Sequence, residues 1–232
     1  MNLLSPNVNQ ATPQTLADAV RNATHHGHRP AVTAITENGR YEQSYASMAQ
    51  WVAKGAHLLQ SDLMIEPGEK LAICSRLSWH TQAIVLAAWW VGLDVTTNPQ
   101  GAAVVIVSSP LSHDGLGAHV FSVGDAIDGA PLVPFGVPAW THGVRLFPDA
   151  PPPATCTPQM IALSDKTDRF THAQLLARVD SEGVMGYDVS QPITADMLFA
   201  VAARPMITGH RTVILDGVAP AAAANERVAV WR

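Results

Sequence analysis

Charged side chains, cysteine and long apolar runs are all scarce in this 232-residue sequence. Charged residues make up 14% of the chain, against about 25% in a typical domain. The formal net charge is −5, and no cluster of Lys or Arg forms the basic surface that nucleic-acid-binding proteins need. We therefore expect no nucleic-acid partner. The low charged fraction leaves neutral groups, or another protein, to complete the surface.

The same scarcities predict the cellular compartment of the protein. The longest apolar stretch, residues 83–93, is shorter than the roughly 20 residues that a bilayer-spanning helix needs. Residues 1–24 lack the basic and apolar regions of a secretory signal. Two cysteines, Cys74 and Cys156, do not make a disulfide framework, and we expect one buried and one surface thiol. These features predict a cytoplasmic protein without a membrane partner.

The apolar pattern predicts alternating helices and strands. Helices are expected at residues 15–24, 45–63, 80–91, 171–180 and 195–203. Strands are expected at residues 31–36, 40–45, 70–75, 93–97, 102–107, 119–123, 144–147, 160–163, 212–215 and 227–231. Asn38-Gly39 indicates a tight hairpin, residues 219–224 read as a linker, and the unbroken Ala-Ala-Val-Val-Ile-Val run is typical of a strand buried on both faces.

This order predicts an α/β fold with a mainly parallel sheet flanked by helices, since strand, helix and strand in succession make parallel crossovers. We expect a single domain over residues 1–232. Residues 131–158 are expected to form an irregular Pro/Gly-rich connection within it. The helix at 80–91 is apolar on nearly every side, as expected for a helix enclosed in a large domain.

Three segments carry a family resemblance. Tyr45-Ala46-Ser47-Met48 opens a helix, Pro67-Gly68-Glu69-Lys70-Leu71-Ala72-Ile73 enters a strand, and the run from Leu86 ends at Asn98-Pro99. In order and spacing they resemble the N-terminal region of the adenylate-forming (AMP-binding, acyl-CoA synthetase/luciferase-like) superfamily. Thr171-His172-Ala173-Gln174-Leu175 resembles the Thr-His-x-x-Leu helix that follows the phosphate loop there. The whole resembles short proteins that keep a truncated N-terminal region of such ligases.

The departure from that superfamily lies just before the Thr-His helix. There the family has a Thr/Ser/Gly-rich loop ending in Pro-Lys-Gly, whereas this sequence runs from Ser164 to Phe170 without a glycine. Glycine lets backbone N–H groups close around phosphate oxygens without a Cβ clash. The sequence also ends before the positions at which that superfamily has its ribose-binding Asp and its C-terminal domain with the adenylation lysine. The resemblance therefore implies a degenerate, non-catalytic binding or interaction protein with no catalytic residue and no cofactor.

A second hypothesis is a residual nucleotide- or acyl-binding protein or enzyme that holds ATP, AMP or an acyl group weakly in an altered pocket. The candidate pocket residues are Ser108, Ser109, Ser164, Lys166, Thr167 and His172. The serines follow buried strands, at the edge where α/β proteins bind ligands. Ionic contact with Asp165 or Asp168 is the alternative use of Lys166. His172 is alternatively a surface or interface residue beside a Thr171/Gln174 capping box.

Two other groups of residues give weaker signals for a catalytic or metal site. Ser108, His113 and Asp114 lack the nucleophile elbow of a hydrolase, so ordinary capping after a strand explains them. His25, His26 and His28 lack a Cys or carboxylate at zinc-site spacing, and we expect a polar turn and no metal.

Trp89 and Trp90 bear on the choice of partner. On one helix they point about 100° apart, so both cannot face one core. The resemblance implies a face that larger relatives cover with a second subdomain. We expect a homodimer or a protein partner to cover that face; the alternative is that the connection at residues 131–153 and the terminal strand fold back over it.

Overall fold

The computed structural model describes residues 11–37, 39–108, 119–124, 137–179, 183–189 and 192–231. Its helices are α1 Leu16–Ala23, α2 Tyr45–His57, α3 Trp79–Trp90, α4 Trp140–Val144, α5 His172–Ala177 and α6 Ala195–Thr208. Its strands are β1 Pro30–Thr36, β2 Gly39–Ser44, β3 Lys70–Cys74, β4 Asp94–Thr96, β5 Val104–Val107, β6 His119–Ser122, β7 Ile161–Ser164, β8 Arg169–Thr171, β9 Met185–Asp188, β10 Thr212–Asp216 and β11 Val230–Trp231.

The strands form two sheets. The first sheet has the order β11-β9-β10-β1-β2, and the second has the order β6-β5-β3-β4-β7-β8. Within each sheet every neighbouring pair is parallel except one at the edge, β1 with β2 and β7 with β8. The predicted α/β fold with mainly parallel strands is therefore confirmed, although the strands divide between two sheets.

One hydrophobic core joins the two sheets through helices. It contains residues of α1, α2, α3 and α6 together with strands of both sheets. All twelve residues of α3 are buried, which explains why its sequence shows no polar face. Ser78 caps this helix, because its hydroxyl accepts from the N–H of Thr81 while the Thr81 hydroxyl accepts from the N–H of Ser78. The enclosed helix predicted from the sequence is confirmed.

The predicted hairpin is also present, since β1 and β2 pair in antiparallel register. Gly39 begins β2 with a φ of 132°, a backbone conformation that favours glycine. The helix predicted to run to Leu63 is α2 followed by a π-helical turn at Leu58–Asp62.

The predicted strand at residues 144–147 is wrong. The short helix α4 ends at Val144, and residues 145–147 form a turn after it. The helix buries Trp140, Thr141 and Val144, a spacing that places them on one helical face. Gly143 lies against Leu58 of the π-helical turn that follows α2, where an added Cβ would be 3.5 Å from Cδ2 of Leu58. The helix α4 thus lies within the connection predicted at residues 131–158; residues 145–158 contain no helix or strand, and residues 131–136 lie outside the described part of the chain.

The expectation that Trp89 and Trp90 cannot both face the interior is wrong. Trp89 is 0% exposed and Trp90 is 4% exposed. The indole N–H of Trp89 donates to the carbonyl of Ala162, and that of Trp90 donates to the carbonyl of Pro152. A second wall is present because the proline-rich segment at residues 148–154 folds back beside α3. The adjacent tryptophans therefore give no ground for a covering partner.

Strands β8 and β9 are absent from the predicted set. β8 begins within the glycine-free run from Ser164 to Phe170. β9 has the sequence Met-Gly-Tyr-Asp, which shows no strand pattern. The expected linker at residues 219–224 is part of a 3₁₀ helix, Pro220–Glu226, whose Glu226 carboxylate pairs with Arg40 and Arg211. In the described part of the chain, no helix combines the length and the apolar character needed to cross a membrane.

Candidate functional site

Five parallel strands of the second sheet end at one edge. β6, β5, β3, β4 and β7 all run in the same direction, so their carboxyl ends meet there. Open α/β sheets bind ligands at this edge. Ser108 follows β5 and Ser164 ends β7. We call this edge the strand-end site.

At the end of β7, a four-residue turn, Asp165–Asp168, leads directly into β8. The N–H of Asp165 donates to the carbonyl of Asp168 at 2.9 Å. The N–H of Lys166 donates to Oδ1 of Asp165 at 2.6 Å, and the hydroxyl of Thr167 donates to Oδ2 of Asp168 at 3.2 Å. Two of the four backbone N–H groups of this turn, those of Asp165 and Lys166, are thus used by acceptors within the turn. Two carboxylates in the same turn also oppose an anion.

Lys166 and Thr167 are exposed residues of this turn. The ionic alternative for Lys166 is not observed among the described residues, because its backbone N–H, and not its side-chain ammonium, bonds to the Asp165 carboxylate. Lys166 therefore lies in a turn that is closed by hydrogen bonds to Asp165 and Asp168.

Ser164 is engaged by a residue that sequence reasoning did not single out. Its hydroxyl donates to Oδ2 of Asp94 at 2.9 Å. Both side chains are buried, and burial raises the pKa of the Asp94 carboxyl. Oδ1 of Asp94 has no hydrogen-bond partner among the described residues. Asp94 stands at the start of β4, 70 residues from Ser164, so no local pattern indicates the pair.

Ser108 belongs to another group at the same edge. Its Oγ accepts from the backbone N–H of Arg76 at 3.2 Å, and the Arg76 guanidinium donates to Oδ1 of Asp216 at 2.8 Å. Asp216 ends β10, so this ion pair joins the carboxyl edges of the two sheets. Ser75, at the end of β3, is buried, and its hydroxyl has no partner in the described part of the chain.

The two groups do not converge. β3 and β4 lie between β5 and β7, so Ser108 and Ser164 are about three strand spacings apart, or roughly 14 Å. One small group cannot touch both. Ser109 lies outside the described residues. The strand-end site therefore holds the predicted serines at one edge without gathering them into a pocket.

His172 lies away from the strand-end site. Its ring is 0% exposed, and Nδ1 accepts from the backbone N–H of Leu16 at 3.3 Å, at the start of α1. Burial lowers the pKa of His172 to about 4. The predicted capping box at Thr171 and Gln174 is present. The neutral imidazole thus connects α5 to α1 inside the core, away from the strand ends.

The histidine-rich turn holds His25 and His26 in a 3₁₀ helix. The His26 ring lies 4.7 Å from the Tyr45 ring. Among the described residues, no group of three or more His, Cys, Asp or Glu side chains could hold a metal ion. Cys74 and Cys156 are both free and both half-buried, which differs from the expected pair of one buried and one surface thiol.

Comparison with solved structures identifies the class of fold. The chain matches an acyl-CoA synthetase from Brucella canis with a TM-score of 0.72 and 15% identity, over 97% of this chain and 48% of the other. It matches apo MatB from Rhodopseudomonas palustris with a TM-score of 0.71 and 17% identity, over 95% and 49%. A fatty acyl-adenylate ligase from L. pneumophila matches with a TM-score of 0.62 and 15% identity, over 91% and 41%. The chain therefore has the fold of the N-terminal domain of adenylate-forming enzymes, as the sequence predicts.

A relative is also found by sequence. A Mycobacterium tuberculosis (strain ATCC 25618 / H37Rv) protein described as a "TIGR03089 family protein" is 28% identical over 133 residues, 55% of each chain. No family model matches this chain. The chain spans about half the length of the synthetases and of this relative.

Proposed function

We propose that this chain is a binding or interaction module with an adenylate-forming fold that does not make acyl-adenylates. The observation that carries the proposal is the Asp165–Asp168 turn, which joins β7 directly to β8 and uses its own backbone donors. Adenylation requires donors and cations aimed at the charge that develops on a transferring phosphate. This turn sets two aspartates against one lysine and spends the N–H groups of Asp165 and Lys166 on its own acceptors.

The activities named for the similar structures, acyl-CoA synthetase and fatty acyl-adenylate ligase, belong to those proteins. This chain is 15% identical to each and spans less than half of either. The shared fold supports common ancestry. The turn supports a different use of that fold.

Nucleotide binding tests this proposal. We expect millimolar Mg-ATP to leave the melting temperature nearly unchanged, since a ligand at 100 times its Kd stabilises a protein by about 2.7 kcal/mol. A clear upward shift in the wild-type chain that Lys166→Ala abolishes would place a phosphate site at the turn and overturn the proposal. Asp62→Asn, at an exposed carboxylate remote in sequence from the turn, is the matched control.

The second candidate function is a residual pocket for a small polar or acyl ligand at the strand-end site. The buried Ser75 hydroxyl, unpartnered among the described residues and adjacent to Arg76, favours it. Native mass spectrometry of the protein as purified tests it, because a retained pocket should carry a bound small molecule. Loss of that mass in Ser75→Ala, with Ser47→Ala on α2 unchanged, would support this candidate; a bare protein mass would count against it.

A second copy of the chain is the partner that we propose for the interaction role. Leu146 is 91% exposed and Met64 is 74% exposed, and large apolar side chains left in water are common at interfaces. A specific dimer should bury more than about 1,000 Å² in total. Light scattering at tens of micromolar tests it, and a strict monomer would exclude it.

A further inference from the structure

A cleft of about 640 Å³ lies between α1, α2 and the proline-rich segment at residues 149–154. We call it the α1–α2 cleft. Its walls are mainly apolar, with Val20 on α1, Ala49 on α2 and Pro151–Pro153 opposite, and Trp90 also lines it. Ligand sites in proteins have volumes of about 300–1,000 Å³ and apolar or aromatic walls with a few polar groups. The α1–α2 cleft has the size and the composition of such a site.

The cleft is separate from the strand-end site. α3 begins after the carboxyl end of β3 and runs back to the beginning of β4. Trp90, its last residue, therefore lies near the amino ends of the parallel strands. The strand-end site is at the opposite edge of the sheet. An inference about the cleft does not depend on whether the Asp165–Asp168 turn binds phosphate.

The cleft is held open by bonds within the protein. The indole N–H of Trp90 donates to the carbonyl of Pro152 at 2.9 Å, and the hydroxyl of Thr155 donates to the carbonyl of Val91 at 2.9 Å. Lys54 pairs with Asp149 at 2.8 Å. Consecutive prolines also have few backbone conformations to lose. A preformed site binds at a lower entropic cost than one that must close around its ligand.

The polar groups of the cleft favour an anion. The Arg21 guanidinium carbon lies 5.2 Å from the centre of the Trp90 ring. The Arg21 guanidinium pairs with the Asp18 carboxylate at 2.6 Å, and the Arg21 side chain is 54% exposed. An exposed pair of this kind contributes little, and guanidinium has further N–H donors for a second anion. The Asp149 carboxylate in the lining is already neutralised by Lys54.

We propose that the α1–α2 cleft binds a small aromatic anion. The aromatic ring lies against Trp90 and the prolines, and the carboxylate or sulfonate accepts hydrogen bonds from Arg21. The indole N–H of Trp90 is committed to Pro152 and the residue is buried, so Trp90 offers the ligand a small apolar contact and no donor. Recognition therefore combines apolar contact with one charge-assisted hydrogen-bonded pair.

Two isosteric probes separate these contributions. In isothermal titration calorimetry we expect 2-naphthoate to bind and neutral 2-naphthamide to bind about tenfold more weakly, the effect of one charge-assisted bond. Arg21→Gln should weaken 2-naphthoate to the level of the amide and leave the amide unchanged. Arg145→Gln, at an exposed arginine outside the cleft, should change neither probe.

The second part of the experiment fills the α1–α2 cleft with a large side chain. Ala49→Trp should abolish binding of both probes, because the new ring occupies the cleft. Ala46→Trp places the same ring at a half-buried position on the same helix that does not line the cleft, and it should bind as the wild type does. The melting temperature of each variant reports folding. Absence of binding by the folded wild type, or equal loss in Ala46→Trp and Ala49→Trp, overturns the proposal.

Discussion

Nδ1 of His172 accepts a hydrogen bond from the backbone N–H of Leu16, 156 residues away in the chain. The donor is the first N–H of α1, one of the groups that a helix cannot satisfy internally. The acceptor is the first residue of α5, and the ring is fully buried. This bond requires a neutral imidazole, because a protonated ring has no acceptor nitrogen.

Acid should therefore destabilise the protein through His172. Burial lowers the pKa of His172 to about 4, whereas the unfolded chain has a histidine pKa of about 6.5. The unfolded chain binds a proton first, so the stabilisation is present above about pH 6.5 and is lost as the pH falls toward about 4. The total loss is about 3 kcal/mol at 1.36 kcal/mol per pH unit.

Chemical denaturation at a series of pH values measures this loss. The free energy of unfolding of His172→Gln should be lower at neutral pH and should depend less on pH between about 4 and 6.5. His210→Gln, at an exposed histidine, should keep the wild-type slope. Parallel curves for the wild type and His172→Gln would show that this histidine does not carry the effect.

At Gly55, α2 lies close against α3 and α4. A Cβ there would lie 2.8 Å from Cβ of Ala87 and 3.1 Å from Cζ2 of Trp140. Alanine gains about 1 kcal/mol of helix propensity over glycine, but overpacking costs about 1–3 kcal/mol. Because the clashing Ala87 atom is fixed to the backbone, we expect Gly55→Ala to be destabilising overall.

Gly143→Ala is the control for that prediction. Its Cβ would meet Leu58 at 3.5 Å, an ordinary contact, so we expect no loss or a small gain in melting temperature. The same gain in both variants would mean that α2 and α3 have room to separate.

Asp94→Asn should stabilise the protein at neutral pH. Burial is the main influence on this carboxyl, and it raises the pKa, so ionisation is penalised more in the folded state than in the unfolded one. The favourable contribution of the protonated form is present at low pH and is lost as the pH rises through the raised pKa. Asparagine carries no charge, and its carbonyl still accepts from Ser164.

Thermal unfolding at two pH values checks the sign. The gain in melting temperature should be clear near pH 7 and small near pH 3, where the carboxyl is protonated in both states. Asp62→Asn, at an exposed position, should show no such gain. A destabilised Asp94→Asn at pH 7 would mean that attraction from Lys70 and Arg169 outweighs the cost of burial.

The sequence predicts the fold better than the site, for physical reasons. α3 is apolar on nearly every side, which indicates an enclosed helix, and Asn38-Gly39 in the sequence indicates the hairpin formed by β1 and β2. β8 and β9 are three and four residues long, too short for a periodic signal. β8 pairs with the neighbouring β7 across the Asp165–Asp168 turn, whereas β9 pairs with β10 and β11, which lie further along the chain.

The site contacts have no local signal either. Asp94 meets Ser164 across 70 residues, and Leu16 meets His172 across 156. Tertiary packing alone brings them together. The missing glycines before the Thr-His helix are visible in the sequence, but only the structure shows that the N–H groups of Asp165 and Lys166 bond within the turn that stands in their place.

ATP–pyrophosphate exchange tests the central claim most directly, because it measures adenylate formation at the site where the Asp165–Asp168 turn stands. A panel of short, long and aromatic carboxylic acids should give exchange at the level of a protein-free blank, with a complete acyl-CoA synthetase as the positive control. Exchange above that blank with any acid, abolished by Lys166→Ala, would contradict the account.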